Sequence, residues 1–403
     1  MKKKEKWMKF RHRVAWVILY PILAVITFIK FPIRVERLND RRDRPYLILF
    51  NHQTPFDQFF VGLAFRGPIY FVSTEDIFSN GFVSKVIKWL LAPIPIKKQA
   101  GDFSAVMTTL RVAREGATIA MAPEGNRTYS GETVYINPAI AGLAKKMKLP
   151  IALFRIEGGY GMEPRWSNVT RRGRMKGYVH RVIEPEEYAK LSNDELYEQI
   201  CQGLYVNEGV ADGIFRSNKK AEYLERAIYV CPFCGLSKFE SRGNEAECMT
   251  CHRKVLYGED KTITGVGYDF PFRFMTEWYS YQNDFINGLD LTEFEEKPAF
   301  TDCARISEVI LNKRKQILYK DADVALYGNR IAINEGRPNQ MILPFENITA
   351  AACLGRNKLN VYSDGMVYQF KGSVRFNALK YVNFYYRHKN ISRGDLDGKF
   401  LGL

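Results

Sequence analysis

Short apolar runs alternate with longer segments of helical periodicity across residues 35–215. "RPYLILFNHQ", "PIYFVST", "LPIALFRIEGGY" and "GYVHRVIEP" predict strands, whereas "DQFFVGLAFR" and "GFVSKVIKWLLAPIP" predict helices. A further helix capped by Asp102 carries Val106, Leu110 and Ala113 on one face and stops at Gly116. The segment "EEYAKLSNDELYEQICQGL" is also predicted to be helical. Strands separated by helical crossovers indicate an α/β layer domain over residues 35–215.

The last hundred residues follow another pattern. Runs such as "EVIL", "QILY", "VALY", "RIAI" and "MVYQF" recur at short intervals, and "SDG" before the last run is a hairpin signal. The segment "SVRFNALKYVNFYYRHKN" then predicts a helix with Phe376, Leu379 and Val382 on one stripe. Several strands followed by one helix resemble a small pleckstrin-homology-like (PH-like) β-barrel over residues 301–403. Such a barrel is expected to dock on lipid or on another domain, or to serve only as a packing module.

The N-terminus contains an uncharged apolar segment from Val14 to Ile29, flanked on both sides by basic residues. Sixteen helical residues reach about 24 Å, less than the ~30 Å of a bilayer core, and Pro21 lies in the middle. Tyr20 and two nearby tryptophans suit the headgroup region. We therefore expect residues 1–34 to form a membrane anchor, either a kinked helix lying in one leaflet or a short anchor. A buried core helix is the alternative.

Four of the seven cysteines are clustered, as "CPFCG" and "CMTC". Cys231, Cys234, Cys248 and Cys251 follow the spacing C-x2-C-x13-C-x2-C, in which two turns present four thiolates to one ion. Residues 216–265 resemble a zinc ribbon, and four sulfur ligands leave no open position for water, so the expected cofactor is structural zinc. Two disulfides are the alternative and would require an oxidising compartment. Residues 266–300 are assigned only as a connector.

The net charge indicates which class of partner the protein is expected to bind. Fifty-nine Lys and Arg against forty-four Asp and Glu give a net charge of +15, which favours anionic lipid head groups, nucleic acid or a phosphorylated substrate. A nucleic-acid-binding protein would use this charge and the cysteine motif, but it would leave the apolar N-terminal segment unexplained. The basic residues also form no long stripe with interleaved aromatics. We therefore expect no nucleic-acid partner.

Two predicted strand-to-loop junctions carry candidate chemistry. "FNHQTPFDQFF" places His52 after a strand and Asp57 at the start of the next helix, where α/β folds place their ligand sites. "MAPEGNRTYSG" supplies Glu124, Gly125 and Arg127 at a second junction. Glycine permits close backbone approach, and a guanidinium is a planar fork suited to phosphate. Between them, "APIPIKKQ" contributes Lys97 and Lys98 after an apolar stretch.

In these blocks the chain resembles the lysophosphatidate (1-acylglycerol-3-phosphate) acyltransferase family of glycerolipid acyltransferases. "NHQTPFD" matches the N-H-x4-D block, with His52 and Asp57 on its conserved pair, and "PEGNR" matches the block usually written P-E-G-T-R. Asn126 departs from the usual Thr or Ser. "IPIKK" has Lys98, or less well Lys97, where the family has arginine, which keeps the charge but loses the bidentate fork. The resemblance covers residues 35–215.

The resemblance implies direct acyl transfer from a thioester donor, acyl-CoA or acyl carrier protein, to the free hydroxyl of a lysophospholipid. Lysophosphatidate is the expected acceptor, another lysolipid the alternative. A neutral imidazole suits proton abstraction near pH 7, so His52 is expected to be the general base, oriented by Asp57. Arg127 and Lys98 are expected to bind the acceptor phosphate, with Gly125 permitting close backbone approach of the substrate. Glu124 is expected to bind a glycerol hydroxyl or the Arg127 side chain.

The expected location is the cytoplasmic face of the cell membrane, since thiols stay reduced in the cytoplasm and the basic surplus favours an anionic leaflet. A non-catalytic lipid-binding scaffold is the rival hypothesis, in which His52 and Asp57 would have no chemical role. The sequence as a whole thus predicts an α/β acyltransferase domain behind a membrane-associated helix, followed by a zinc ribbon and a PH-like β-barrel.

Overall fold

The computed structural model describes residues 6–40, 44–74, 77–78, 82–96, 103–310, 315–395 and 401–402. The chain forms two compact units. The N-terminal unit comprises Met1–Met162 and Arg172–Glu208, and the C-terminal unit comprises Glu163–Arg171 and Gly209–Leu403. The chain therefore leaves the first unit at Glu163 and re-enters it at Arg172.

The N-terminal unit is an α/β structure, as its alternating pattern predicts. Its strands are β1 (Ile33–Val35), β2 (Leu47–Phe50), β3 (Ile69–Thr74), β4 (Ile94–Ile96), β5 (Thr118–Met121), β6 (Ile151–Glu157) and β7 (Met175–Ile183). Its helices are α1 (Phe10–Lys30), α2 (Asp57–Ala64), α3 (Phe82–Leu91), α4 (Phe103–Arg114), α5 (Ala139–Met147), α6 (Gly159–Met162), α7 (Pro185–Tyr188) and α8 (Asn193–Leu204).

These seven strands form one sheet in the order β1-β7-β6-β2-β5-β3-β4. All neighbours are parallel except β6 and β7, which pair antiparallel. Strand β2 lies between β5 and β6, and all four of its residues are buried, as expected for a strand covered on both faces. Because β2, β5 and β6 run in the same direction, the loops that follow them meet at one edge of the sheet. We call this the carboxyl edge.

The predicted single helix over "EEYAKLSNDELYEQICQGL" is two helices, α7 and α8. Ser192 separates them because its side chain caps α8, accepting a hydrogen bond from the Glu195 amide, while the Glu195 side chain bonds back to the Ser192 amide. The Asp102 cap predicted for α4 lies outside the described residues.

Helix α1 is longer than its uncharged segment. Its 21 residues, with Pro21 inside, span about 31 Å, so by length and composition alone it could cross a membrane. The helix nevertheless contacts the N-terminal unit along its length. His12 Nδ1 is 3.1 Å from the hydroxyl of Tyr70 on β3, and Tyr20 bonds to the carbonyl of Leu63 on α2. Just beyond its end, Phe31 is fully buried.

The C-terminal unit is built mainly from antiparallel strands. Its strands are β8 (Val230–Cys231), β9 (Gly235–Leu236), β10 (Phe239–Arg242), β11 (Glu245–Cys248), β12 (Lys254–Tyr257), β13 (Ile263–Gly265), β14 (Phe300–Glu308), β15 (Gln316–Leu326), β16 (Arg330–Ile333), β17 (Met341–Pro344), β18 (Ile348–Leu354), β19 (Lys358–Ser363) and β20 (Met366–Gly372). Its helices are α9 (Met275–Asn287) and α10 (Leu379–Ser392), with 3₁₀ turns at Leu224–Arg226, Leu291–Phe294 and Phe345–Asn347.

Two small sheets, β8-β9 and β10-β11-β12-β13, carry the clustered cysteines and their surroundings. Helix α9 packs with them, since its buried Trp278 donates a hydrogen bond to the carbonyl of Val230 and Gln282 bonds to the backbone of Tyr229. The segment 266–300, expected to be a connector, thus contains a 13-residue helix. Its aromatic and acidic composition conceals the apolar stripe that would have predicted this helix.

The remaining strands form a curled seven-stranded sheet in the order β17-β16-β15-β14-β20-β19-β18. The predicted hairpin at "SDG" is confirmed: Ser363 pairs with Met366, and Asp364 and Gly365 both have positive φ. Helix α10 packs against this sheet through Tyr385, whose hydroxyl bonds to the Ile348 carbonyl at 2.7 Å. The helix begins at Leu379, so Phe376, which was predicted to share its stripe, precedes it.

Candidate functional site

His52 and Asp57 meet at the carboxyl edge of the N-terminal sheet. His52 Nδ1 lies 2.7 Å from Asp57 Oδ2. The Asp57 side chain is fully buried, whereas the His52 side chain retains 26% exposure. The imidazole is therefore fixed through one nitrogen by a buried carboxylate while the side chain keeps access to solvent.

The chain between the two residues forms a tight turn that the carboxylate itself organises. Asp57 accepts hydrogen bonds from the Gln53 amide at 2.7 Å, from the Thr54 amide at 2.9 Å and from the Thr54 hydroxyl at 2.7 Å. The sequence placed Asp57 at the start of α2, where its side chain could cap the first turn of the helix. Asp57 is the first residue of that helix, and its carboxylate bonds back to the preceding turn. Because four donors bond to one buried carboxylate, several contacts together fix the position of Asp57 relative to His52.

Glu124 joins the loop after β5 to the loop after β2. Its Oε1 accepts a hydrogen bond from the His52 amide at 2.7 Å, and its Oε2 accepts one from the Val134 amide at 2.9 Å. Burial raises the pKa of Glu124 to about 8, although the two amide hydrogen bonds oppose this shift. Glu124 was expected to bind a glycerol hydroxyl or Arg127. Both carboxylate oxygens accept hydrogen bonds from main-chain amides, so the side chain braces the site, and the expected contact with a glycerol hydroxyl or with Arg127 stays a prediction.

Gly125 and Arg127 lie in the same loop. Gly125 has φ +67°, a conformation that favours glycine, and its amide bonds to the Ala122 carbonyl at 3.0 Å. Arg127 is buried, and the next residue, Thr128, donates its amide proton to the His52 carbonyl at 3.2 Å. Two hydrogen bonds to the His52 backbone therefore bring the P-E-G-N-R loop beside the histidine.

Lys98 and the alternative Lys97 lie outside the described residues. They follow β4, which is parallel to β3 in the same sheet.

Comparisons with known proteins identify this domain. The family model described as Acyltransferase matches residues 32–156, which include both loops of the site. The chain is 20% identical over 184 residues to the 1-acyl-sn-glycerol-3-phosphate acyltransferase of Bacillus subtilis (strain 168), covering 45% of this chain and 89% of that protein. Residues 32–156 thus form an acyltransferase domain that is similar to 1-acyl-sn-glycerol-3-phosphate acyltransferases. The protein is an O-acyltransferase.

A solved structure is also similar to this acyltransferase. The 1-acyl-sn-glycerophosphate (LPA) acyltransferase PlsC from Thermotoga maritima is 20% identical and aligns with a TM-score of 0.41, covering 49% of this chain and 80% of that one. Neither the matched B. subtilis protein nor the T. maritima protein accounts for the whole of the present chain, because the alignments cover about half of it.

Two contacts of the acyltransferase site were not predicted from the sequence. The side chain of Asn51 bonds to both the carbonyl and the amide of Ile156, at 2.8 and 2.7 Å, which locks the ends of β2 and β6 together. Gly159 lies so close to this loop that an added Cβ would fall 2.6 Å from the Cβ of Gln53. The signals were present, as the Asn of "NHQTPFD" and the paired glycines of "EGGY", but pattern alone does not pair positions a hundred residues apart.

The four clustered cysteines of the C-terminal unit converge as their spacing predicts. Their sulfur atoms all lie within 4.8 Å of one another, with Cys231 to Cys251 at 3.7 Å and Cys234 to Cys248 at 3.5 Å. A tetrahedral zinc with Zn–S bonds of about 2.3 Å requires sulfurs about 3.8 Å apart. All four are free thiols, so the alternative of two disulfides is wrong in this structure. This cluster could bind a metal ion.

The surroundings of Cys248 and Cys231 shift the pKa values of these two thiols in opposite directions. Burial alone would raise the pKa of Cys248, but hydrogen bonds from the Ser237 hydroxyl and from the backbone amides of Cys251 and Thr250 lower it to about 7. Burial raises the pKa of Cys231 to about 11. A bound cation would favour the thiolate form of each.

Proposed function

We propose that this acyltransferase moves a fatty acyl group from a thioester donor, acyl-CoA or acyl carrier protein, to the free hydroxyl of a lysophospholipid. The expected acceptor is 1-acylglycerol-3-phosphate, and the product would be phosphatidic acid for phospholipid synthesis. The observation that carries this proposal is the 2.7 Å hydrogen bond between His52 and Asp57 at the carboxyl edge of the sheet. The B. subtilis relative, named for this substrate, supports the choice of acceptor.

In the proposed reaction, Nε2 of His52 takes the proton of the acceptor hydroxyl as its oxygen attacks the thioester carbonyl carbon. The C–S bond then breaks, and the imidazolium returns the proton to the departing thiolate. Asp57 holds the other ring nitrogen and stabilises the imidazolium, as the acid does in serine triads. No acyl-enzyme is needed. General-base catalysis supplies about 10²- to 10⁴-fold, and the rest comes from holding both substrates together.

The acceptor phosphate is assigned to Arg127 and Lys98, with Gly125 allowing close approach of the backbone. The guanidinium of Arg127 belongs to the loop that bonds to the His52 backbone, so a phosphate held there would place a glycerol hydroxyl near the imidazole. Glu124 contributes by holding the loop after β2 and the loop after β5 in fixed positions relative to each other.

Helix α1 is proposed to lie in the cytoplasmic leaflet of the cell membrane rather than to span it. His12, Tyr20 and Phe31, spread along the helix and just past its end, all contact the same unit, which a helix crossing the bilayer could not do. The opposite side exposes Val17, Ile18, Val25 and Ile29, and α3 adds exposed apolar residues of its own. Apolar burial and the net charge of +15 would together hold the enzyme on an anionic leaflet, where its lysolipid acceptor resides.

Zinc is the proposed ion at the cysteine cluster, as a structural metal in a zinc ribbon. Four thiolates at tetrahedral spacing suit zinc and leave no coordination position for a substrate. The curled sheet with α10 is proposed to be a PH-like module, a comparison that rests on architecture: seven antiparallel strands and one C-terminal helix.

The test is a substrate panel with the purified full chain. Lysophosphatidate, lysophosphatidylcholine and monoacylglycerol would each be incubated with acyl-CoA or acyl carrier protein donors, and the products identified by mass spectrometry. Acyl transfer to lysophosphatidate with release of free thiol is the expected result. Transfer to lysophosphatidylcholine alone would replace the acceptor, and the absence of transfer to every acceptor would overturn the proposed function.

A further inference from the structure

Nine residues of the chain, Glu163–Arg171, belong to the C-terminal unit although their neighbours on both sides belong to the acyltransferase unit. We call them the crossover segment. Residues 163–167 and Arg171 are buried, whereas Asn168 and Thr170 are exposed, and Trp166 is among the largest fully buried side chains of the described residues. A hydrogen bond of 3.3 Å from the Thr170 hydroxyl to Glu163 Oε2 joins the two ends of the segment.

Tyr257 packs against this segment. It is the last residue of β12 in the sheet β10-β11-β12-β13, which we call the cysteine-bearing sheet. The Tyr257 ring packs edge-on against the Trp166 ring, with centroids 5.7 Å apart, and lies 4.7 Å from the guanidinium of Arg171. These contacts use the aromatic ring alone, since the Tyr257 hydroxyl is buried and without a hydrogen-bond partner among the described residues.

Two arginines tie the segment to other elements of the same unit. Arg226 donates to the Trp166 carbonyl at 2.8 Å and to the Asn168 side chain at 3.0 Å. Within the segment, Arg165 donates to the Cys353 carbonyl on β18 at 3.0 Å. The position of the segment is therefore set by elements that the acyltransferase family match does not include.

The residues immediately before the crossover segment belong to the acyltransferase site. Gly159 packs on Gln53, the residue after His52, so tightly that no added Cβ fits. The amide of Gly161 bonds to Glu208 Oε2 at 3.1 Å, and the Met162 amide bonds to the Gly158 carbonyl at 3.0 Å, so this stretch is a rigid turn. If Glu163 were displaced, the four residues before it would transmit the movement to Gly159, which is in close contact with Gln53 beside His52.

We propose that Tyr257 is a positioning residue for acyl transfer. By fixing Trp166 and Arg171, it fixes the crossover segment and thereby the Gly158–Met162 turn that supports the His52 loop. The cysteine-bearing sheet thus has a role in the reaction that the catalytic residues do not reveal. This inference rests on the proposed function of His52.

The experiment compares Tyr257→Ala and Tyr257→Leu with Tyr257→Phe in the full chain. The Ala and Leu variants are expected to lower kcat about 10- to 100-fold, since small misplacements of catalytic groups have effects of that size, with little change in KM. The Phe variant, which keeps the ring, is expected to restore kcat. Hydrogen exchange should show faster exchange over residues 158–171 in the Ala and Leu variants, and unchanged protection in β5 and α8.

The outcomes separate the two proposals. No acyl transfer by the unmodified protein would remove the proposed function itself. Wild-type kcat in Tyr257→Ala and Tyr257→Leu, with exchange over residues 158–171 accelerated, would leave the function standing and overturn the positioning role. Loss of protection throughout both units would also overturn it, because Tyr257 would then support the whole fold rather than this segment.

Discussion

The backbone amide of His52 donates a hydrogen bond of 2.7 Å to Glu124, although the two residues lie on loops that follow different strands. The same carboxylate accepts from Val134, so one buried side chain ties together the histidine, the end of β5 and the loop beyond it. A glutamate in the P-E-G-N-R block therefore acts on the site through the backbone.

Replacing Glu124 by glutamine is expected to change how stability depends on pH. The pKa of Glu124 is about 8 in the folded chain, against an ordinary value of 4.5. A carboxyl group whose pKa is raised by folding stabilises the fold fully below the unfolded pKa and loses this contribution as pH rises through the folded pKa. Glutamine does not titrate, so the melting temperature of the wild type should fall relative to that of Glu124→Gln between about pH 4.5 and 8.

Thermal unfolding of both proteins across this pH range measures the difference. The exposed residue Glu198 on α8 provides the control, because Glu198→Gln makes the same substitution at a carboxyl group outside the site. A constant difference for Glu124→Gln would show that Glu124 is ionised throughout the range.

Asp57→Asn tests the orientation of the imidazole. An asparagine side chain offers one acceptor oxygen where the carboxylate serves the ring of His52, two backbone amides and the Thr54 hydroxyl. We expect kcat to fall about 10²- to 10⁴-fold, as when the acid of a serine triad is replaced. The exposed Asp194 supplies a matched control, Asp194→Asn, which should keep wild-type kcat.

The double variant with His52→Ala sharpens this test. If Asp57 acts through His52, the double variant should be no slower than His52→Ala alone, because residues that act as a unit are not additive. Multiplied losses of kcat would instead give Asp57 an independent role.

Arg127→Lys tests phosphate recognition. Lysine keeps the charge but cannot form the bidentate contact, so we expect KM for a phosphorylated acceptor to rise about tenfold. KM for monoacylglycerol, which has no phosphate, should not change. Arg114→Lys, at an exposed position on α4, is the control. Equal changes for both acceptors would place Arg127 away from the phosphate.

Cys248→Ser tests the proposed metal site. One zinc per full chain is expected by elemental analysis of the wild type, and the variant should lose it, together with the hydrogen-exchange protection of β10 to β13. Cys303→Ser changes an exposed cysteine outside the cluster and should retain the metal. Wild-type zinc content in Cys248→Ser would exclude this cluster as the binding site.

The sequence predicted those parts of the fold whose signals are local. Periodicity identified the alternating strands and helices of the N-terminal unit, and four cysteines at fixed spacing identified the cluster, because each signal lies within one short segment. The antiparallel pairing of β7 with β6 and the helix α9 were missed. Strand direction and the packing of Trp278 against the Val230 carbonyl depend on partners distant in sequence.

The candidate site was predictable to a similar extent. His52 and Asp57 are five residues apart, so a turn could bring them together, and the structure does so. The bracing contacts of Glu124 and Asn51 reach 72 and 105 residues along the chain, and no periodicity reports such distances. Residue type suggested a substrate contact for Glu124, which stays a prediction, but it did not reveal the bonds to two main-chain amides that make this side chain a support for the loop.

The most direct measurement is the rate of acyl transfer to lysophosphatidate by the full chain and by its His52→Ala variant, with His180→Ala, at an exposed position on β7, as control. We predict that His52→Ala lowers kcat by at least about 10²-fold. Its melting temperature and its binding to anionic vesicles should remain those of the wild type, and His180→Ala should stay fully active. A folded, membrane-bound His52→Ala variant with wild-type kcat would contradict the assignment of His52 as the general base.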